Sequence, residues 1–447
     1  MGLFDRLRSD DGPRVAFIGI DGVPFSLIRE HPETFENLHR IMGEGAAGAI
    51  DSIVPPESSA CWPSLTTGVN PGKTGVYGFQ DREIGSYETY VPMGRDVQAT
   101  RVWDHVTAAG RDATVMNVPV TAPPQRDLQR MVSGFLSRDV ETATHPSSFA
   151  TRLEALGYRI DVDAKLGHEE EKGPFLDDAH ETIDARQRAF REIVEADDWD
   201  LFFGVFMTTD RVNHFLFEDY EHDGPNHDAF LSFYSTVDDY IGELHSSLDD
   251  DVTTIIASDH GFTTLDYEVH CNRWLEEEGW LSFATDDHEQ LIDIADETSA
   301  YSLIPGRFYL NLHEREPRGS VPRDEYLDRR DELAEAIAGI RGPNGKQVVD
   351  RVVRGDEVFE GEHDDIAPDL VALPRDGFDL KAGFSGADGV FGTGPRNGMH
   401  TFENATLIVD DPAVDVTDAT LYDIAPTILD IMDIAPEDTA LDGRSLC

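Results

Sequence analysis

Two apolar runs rich in β-branched and aromatic residues break off at acidic or imidazole side chains: VAFIGID ends at Asp21, and VTTIIASDH ends at Asp259 and His260. Being nearly continuous rather than alternating, such runs predict strands of a parallel sheet covered on both faces. Strand-like runs near 14–20, 113–118, 201–207, 252–258, 307–312 and 368–373 alternate with helical periodicity over 182–195 and 229–247. That alternation predicts an α/β fold, a mostly parallel sheet with helices on both faces. In open sheets of this kind ligands gather beyond the C-terminal strand ends, so the polar residues placed there should converge in space.

The 447 residues exceed one ordinary compact domain. The pattern nevertheless suggests a single large core, residues 1–447, carrying two insertions. Residues 140–180 are polar and contain His145, His168 and His180, and residues 265–345 run from EVHCNRWLEEEGWLSF to EREPRGSVPRDEYLDRRDELAEA. Both are expected to cap the functional site. His270, His222 and His227 read as surface histidines.

Five short stretches supply the candidate chemistry: Asp21 in FIGIDG, Ser58 in PPESSACWPSLTTG, Asp210 and His214 in MTTDRVNHF, Asp259 and His260 in IIASDHGF, and His400 in NGMHTFENA. If the segment after LFFGVFM is helical, Asp210 and His214 stand at i and i+4 and share a face. Aspartate oxygens and histidine nitrogens hold divalent metals, and two ions roughly 3.5–4 Å apart can clamp the attacking and leaving oxygens of an in-line displacement. One Asp after a strand is commonly a cap, and one His commonly a core residue. The ordered set points to a two-metal phosphotransfer site.

As a whole, the set resembles the alkaline phosphatase superfamily, specifically its nucleotide pyrophosphatase and type I phosphodiesterase branch. The similarity extends through TTGVNPGKTGVYGF, WDHVTAAGRDATVMNVPVTAPP, MVSGF and the C-terminal LYDIAPTILDIMDIAPEDTALDGRSL. The resemblance implies an alkaline-phosphatase-like core with inserted cap segments. It assigns Asp210, His214 and His400 to one metal, and Asp21, Asp259, His260 and the nucleophile oxygen to the other. The ions would be two divalent metals, zinc foremost, with manganese or a mixed pair as alternatives.

Counting back from Gly68 to the family's nucleophile position lands on Ser58, with Ser59 next to it; this branch more often uses threonine there. CWPSL imitates a sulfatase motif, but Cys61 is out of register and Leu65 replaces the required arginine. Diester-cleaving members carry a phosphate-binding asparagine where this chain reads GVYGFQDRE, so Gln80 and Arg82 become the candidate phosphate contacts.

The expected function is that of a metal-dependent phosphodiesterase or nucleotide pyrophosphatase acting on a small phosphorylated substrate through Ser58. A phosphomonoesterase and a phosphoryl or head-group transferase remain open alternatives. A sulfatase fits less well because its motif fails, and a non-catalytic binding protein because every ligand type is retained.

Composition concerns habitat. Acidic residues number 88 against 36 basic, a formal charge of -52, which at low salt destabilises a compact chain by self-repulsion. Lysine occurs only at Lys73, Lys165, Lys172, Lys346 and Lys381. These features suggest a halophilic, archaeal host. With 40% hydrophobic residues the chain is not a disordered polyanion, and binding of nucleic acid through a basic patch is disfavoured. Cys61, Cys271 and Cys447 form no paired framework. The start MGLFDRLRSDDG has no apolar leader core, Gly2 lacks a myristoylation context, and no apolar stretch is long enough to span a membrane; a cytoplasmic location is the expectation. Because the Debye length shrinks to about 3 Å at molar salt, the melting temperature should rise steadily between dilute buffer and about 2 M NaCl in a thermal scan. A flat or falling response would contradict the halophilic reading.

Overall fold

The computed structural model describes residues 12–285, 287–384, 389–436 and 440–447; the segment MGLFDRLRSDD read above falls at 1–11, outside them. Eight strands form the central sheet: β1 (Arg14–Ile20), β2 (Ala46–Ile50), β3 (Ala113–Met116), β4 (Arg130–Val132), β5 (Thr144–His145), β6 (Leu201–Phe206), β7 (Val252–Ala257) and β8 (Ala405–Val409). Their order is β2-β8-β7-β1-β6-β3-β4-β5. The five inner strands, β7 to β4, run parallel, and the antiparallel pairings lie towards the two edges.

The continuous apolar character of β1 follows from burial on two sides. Ala16, Ile18 and Ile20 face a core built with the helices Gly173–Ala196, Thr208–Glu221 and His227–Ser247. Val15 and Phe17 face the opposite core, with Trp62 and Trp103 and the helix Ile424–Ile431. Phe17 stacks on Phe203 of the neighbouring strand at a centroid distance of 4.0 Å. Such contacts leave no polar face on the central strands.

Two of the predicted strands belong elsewhere. Arg307–Leu310 and Leu370–Pro374 join Ala300–Leu303 and Val349–Arg354 in a separate antiparallel sheet, with its own core around Trp274, Tyr301, Phe308 and Leu333. Apolar content marks a strand but does not say which sheet receives it. Residues 140–180 contribute the edge strand β5, a short helix whose Phe149 and Leu153 enter the central core, and the start of the long helix Gly173–Ala196, whose Phe175 joins them. His168 packs against Phe215 and His180 against Phe233.

Buried charges fasten the second lobe to the central sheet's loops. Arg307 is ion-paired with Asp81 and donates to the Gln80 carbonyl at 2.5 Å. Arg82 donates to Glu316 at 3.0 Å and to the Asp365 carbonyl at 2.6 Å. Removing one member of a buried pair leaves the other charge uncompensated, typically at a cost of about 3–5 kcal/mol. Asp81→Ala should therefore lower the unfolding free energy by about 3–5 kcal/mol in urea titrations; a loss below about 1 kcal/mol would mean that the Arg307 pair does not hold the lobes.

Candidate active site

The three adjacent parallel strands β7, β1 and β6 end level with one another, with Gly19 opposite Ala257 and Ile20 opposite Phe206. Asp21 follows β1, Asp259 and His260 follow β7, and Asp210 and His214 stand on the helix Thr208–Glu221 entered from β6. The strand Gly261–His270 then pairs with Gly398–Thr401, placing Phe262 opposite His400 and bringing that histidine beside the others. Ser58 opens the helix Ser58–Thr67, where the positive end of the helix dipole favours an anion.

The structure thus brings together all seven residues singled out from the sequence. Ser58 Oγ donates to His260 Nε2 at 3.0 Å and lies 3.5 Å from Asp21 Oδ1. Ligand atoms of Asp21, Asp259 and His260 lie within 4.8 Å of one another, as do those of Asp210, His260 and His400. His214 Nε2 is 3.4 Å from Asp210 Oδ1 and 3.1 Å from His400 Nε2. The i, i+4 spacing on a helix is what lets His214 and Asp210 share this point.

Orientation of the imidazoles is fixed from behind. Nδ1 of His214 donates to the Gly398 carbonyl at 3.1 Å, that of His260 to Gly261 at 3.1 Å, and that of His400 to Pro56 at 3.2 Å. Each ring therefore presents Nε2 towards the centre, the arrangement that metal-ligating histidines adopt. Trp62 Nε1 donates to Asp21 Oδ2 at 2.8 Å, and the Gly22 amide donates to Asp259 Oδ1 at 3.2 Å. Two glycines permit this closeness. A Cβ on Gly19 would come within 2.6 Å of the Trp62 ring, and Gly22, at φ +66°, lies against His260 and Phe262.

Electrostatically the carboxylates of the cluster are only partly compensated, by Arg211 beside Asp210. Asp259 Oδ2 and Asp210 Oδ1 are buried without a hydrogen-bond partner, a costly state that a positive ion would relieve. Burial pushes Asp21 well above the ordinary carboxylate range, reinforced by Asp259 and Asp210. Asp259 is pushed up to about 7 by burial, against the pull of His400 and with the help of Asp210. Burial acts on Asp210 too, but His214, His400 and Arg211 outweigh it and hold that group well below its usual value. Burial and then His400 bring His260 down to about 3, leaving its Nε2 unprotonated. For His400 burial acts downward, yet Asp210 and Glu57 keep it above its ordinary value. The donor set, the inward Nε2 atoms and the two orphaned oxygens fit divalent ions.

A cavity of about 270 Å³ lies over Ser58. Its wall combines Glu57, Ser59, Phe79 and Phe135 with Ile304, Pro305 and Leu380 from the second lobe; no residue of 140–180 lines it. Ser59 is engaged with Glu57, through its amide at 3.2 Å and its hydroxyl at 3.3 Å. Cys61, on the same helix as Ser58, is buried against Ser52 and does not line the cavity. Gln80 and Arg82 are placed elsewhere: Gln80 donates to Thr89 at 2.6 Å, Arg82 is committed to Glu316, and neither lines the cavity. The basic side chains that do line it are Arg211, Lys381 and Arg396, which carry no periodic signal in the sequence. Arg211 is visible in retrospect as the neighbour of Asp210.

Solved structures share this architecture. Murine ectonucleotide pyrophosphatase/phosphodiesterase 5 is similar over 97% of this chain and 97% of its own, at 15% identity and a TM-score of 0.57. Phosphonoacetate hydrolase from Sinorhizobium meliloti 1021, in complex with phosphonoformate, is similar over 95% and 96%, at 17% identity and a TM-score of 0.62. No match is found among curated proteins. The model of the type I phosphodiesterase/nucleotide pyrophosphatase family matches residues 15–403, and the chain belongs to that family. It is accordingly a hydrolase of phosphoric ester or anhydride bonds in a metal-dependent family. Among the described residues no helix is long and apolar enough to cross a membrane.

Ions must displace the protons that the metal-free site holds on Asp259 and its neighbours. Divalent-ion affinity should therefore fall as the pH drops through about 7, with protons released on binding. Calorimetry in buffers of different ionisation heat measures both; pH-independent affinity without proton release would contradict this picture of the site.

Proposed function

We propose that the chain is a two-metal phosphodiesterase or nucleotide pyrophosphatase that works through a covalent phosphoserine at Ser58. The observation that carries this reading is the position of Ser58 Oγ: it lies 3.0 Å from His260 Nε2 at the edge of the Asp and His cluster and faces the cavity. Asp210, His214 and His400 would hold one ion, and Asp21, Asp259 and His260 the other, with zinc favoured and manganese compatible. When bound, the ions would neutralise phosphoryl charge and favour ionisation of a neighbouring hydroxyl.

The chain's own residues account for positioning. The helix Ser58–Thr67 directs its free amide end at the phosphoryl group. Ser58 Oγ gives up its proton to solvent and forms the bond to phosphorus while the ester or anhydride oxygen leaves with its electron pair, and water later releases the phosphoryl group from Ser58. His260 Nε2, kept unprotonated, accepts the Ser58 hydrogen bond and so orients the hydroxyl. Engagement of Ser59 by Glu57 disfavours it as the nucleophile.

A diester or pyrophosphate is the leading substrate class. A related structure, an inactive variant of the murine phosphodiesterase 5, was solved in complex with AMP, which supports a small nucleotide-like ligand. The acidic surface supports a protein adapted to high salt, and the assay is set accordingly.

Hydrolysis of bis(4-nitrophenyl) phosphate and of the 4-nitrophenyl ester of thymidine monophosphate, after chelation and re-addition of Zn²⁺ or Mn²⁺, should depend wholly on added metal. Ser58→Ala should abolish the acid-stable phosphoenzyme and reduce kcat at least about 100-fold, whereas Ser59→Ala should keep both within a few-fold. Reversal of the two variants would move the nucleophile to Ser59, and turnover of 4-nitrophenyl phosphate alone would make the enzyme a monoesterase.

A further inference from the structure

Three cations face the cavity over Ser58, and two of them are already matched by carboxylates. Arg211 lies 3.0 Å from Asp161 and 3.3 Å from Asp210, and Lys381, at the end of the strand Gly377–Lys381, is ion-paired with Asp379. Arg396 differs. It precedes the strand Gly398–Thr401 that carries His400, it is half-buried, and it lines the cavity. Among the described residues its guanidinium takes part in no hydrogen bond or ion pair. Its charge is felt by His214 and by Asp379, the latter already engaged by Lys381.

Carboxylates outnumber basic residues in this chain by 88 to 36, so a half-buried arginine left without one is not explained by scarcity of partners. A guanidinium presents a planar fork of donors suited to a carboxylate or a phosphate. The carboxylates in the wall are engaged elsewhere, Glu57 by Ser59, Asp379 by Lys381 and Asp210 by Arg211, and Phe79, Phe135 and Leu380 make much of the remainder apolar.

Resting on the phosphoryl-transfer reading above, we infer that Arg396 is a specificity-determining residue. It receives a second anionic group, a carboxylate or a non-reacting phosphate, on the arm of the substrate that stays in the cavity while the phosphoryl group faces Ser58. The preferred substrates are small phosphoesters or anhydrides that carry a further negative charge.

Calorimetry on the metal-loaded enzyme with methylphosphonate, phosphonoacetate and 3-phosphonopropanoate isolates the second charge without requiring turnover. In the wild type at least one carboxylated probe should bind about 10- to 100-fold more tightly than methylphosphonate, the range of a charged hydrogen-bonded contact. Arg396→Gln should lose that preference, and Arg396→Lys should recover part of it, which separates loss of charge from loss of fold. In parallel, the wild-type preference in kcat/KM for 4-nitrophenyl 4-carboxyphenyl phosphate over bis(4-nitrophenyl) phosphate should collapse in Arg396→Gln. Equal preferences in wild type and Arg396→Gln, or no preference in the wild type, would overturn the inference. Absence of turnover on both diesters together with an Arg396-dependent phosphonate preference would uphold the anion site and refute the diesterase reading instead.

Discussion

Mutual repulsion among buried carboxylates at the ends of three neighbouring strands is the constraint around which this protein is organised. Asp21, Asp259 and Asp210 are removed from water, and the parallel register of β7, β1 and β6 delivers them to one edge of the sheet. Protonation relieves part of this in the metal-free state, as the upward shifts of Asp21 and Asp259 indicate. Divalent cations would relieve all of it. Arrangements that strain an apo site in favour of an ion are how folds convert binding energy into a fixed catalytic geometry.

Supporting contacts follow from that need for fixity. Backbone carbonyls of Pro56, Gly261 and Gly398 hold three imidazoles with Nε2 inward, and Trp62 reaches Asp21 because Gly19 has no side chain in its way. The second lobe is tied down by the Arg307–Asp81 and Arg82–Glu316 pairs. It closes one side of the cavity with Ile304, Pro305 and Leu380. In the proposed reading the chemistry resides in the central sheet, and selection among substrates resides where the second lobe and the loop bearing Arg396 meet it.

Much of this was legible in the chain. The runs at 14–20, 201–207 and 252–258 became Arg14–Ile20, Leu201–Phe206 and Val252–Ala257, because a strand buried on both faces needs uninterrupted apolar residues. The acidic and imidazole residues at their ends met as expected. Pairing partners were not legible: Arg307–Leu310 and Leu370–Pro374 read like central strands yet built a second sheet, and the weakly apolar AAGAI of Ala46–Ile50 gave no signal. Arg82 was sought at the phosphate and is held by Glu316, while Arg211, Lys381 and Arg396 line the cavity. A charged residue's role depends on its partner in space, which local sequence does not encode.

The central claim, that Asp21, Asp210, His214, Asp259, His260 and His400 form one paired metal site, is tested most directly by anomalous diffraction from crystals grown with Zn²⁺ or Mn²⁺. The account predicts two anomalous peaks per chain, roughly 3.5–4 Å apart, one among Asp210, His214 and His400 and the other among Asp21, Asp259 and His260. A single peak, peaks bound elsewhere, or none at saturating metal would contradict it.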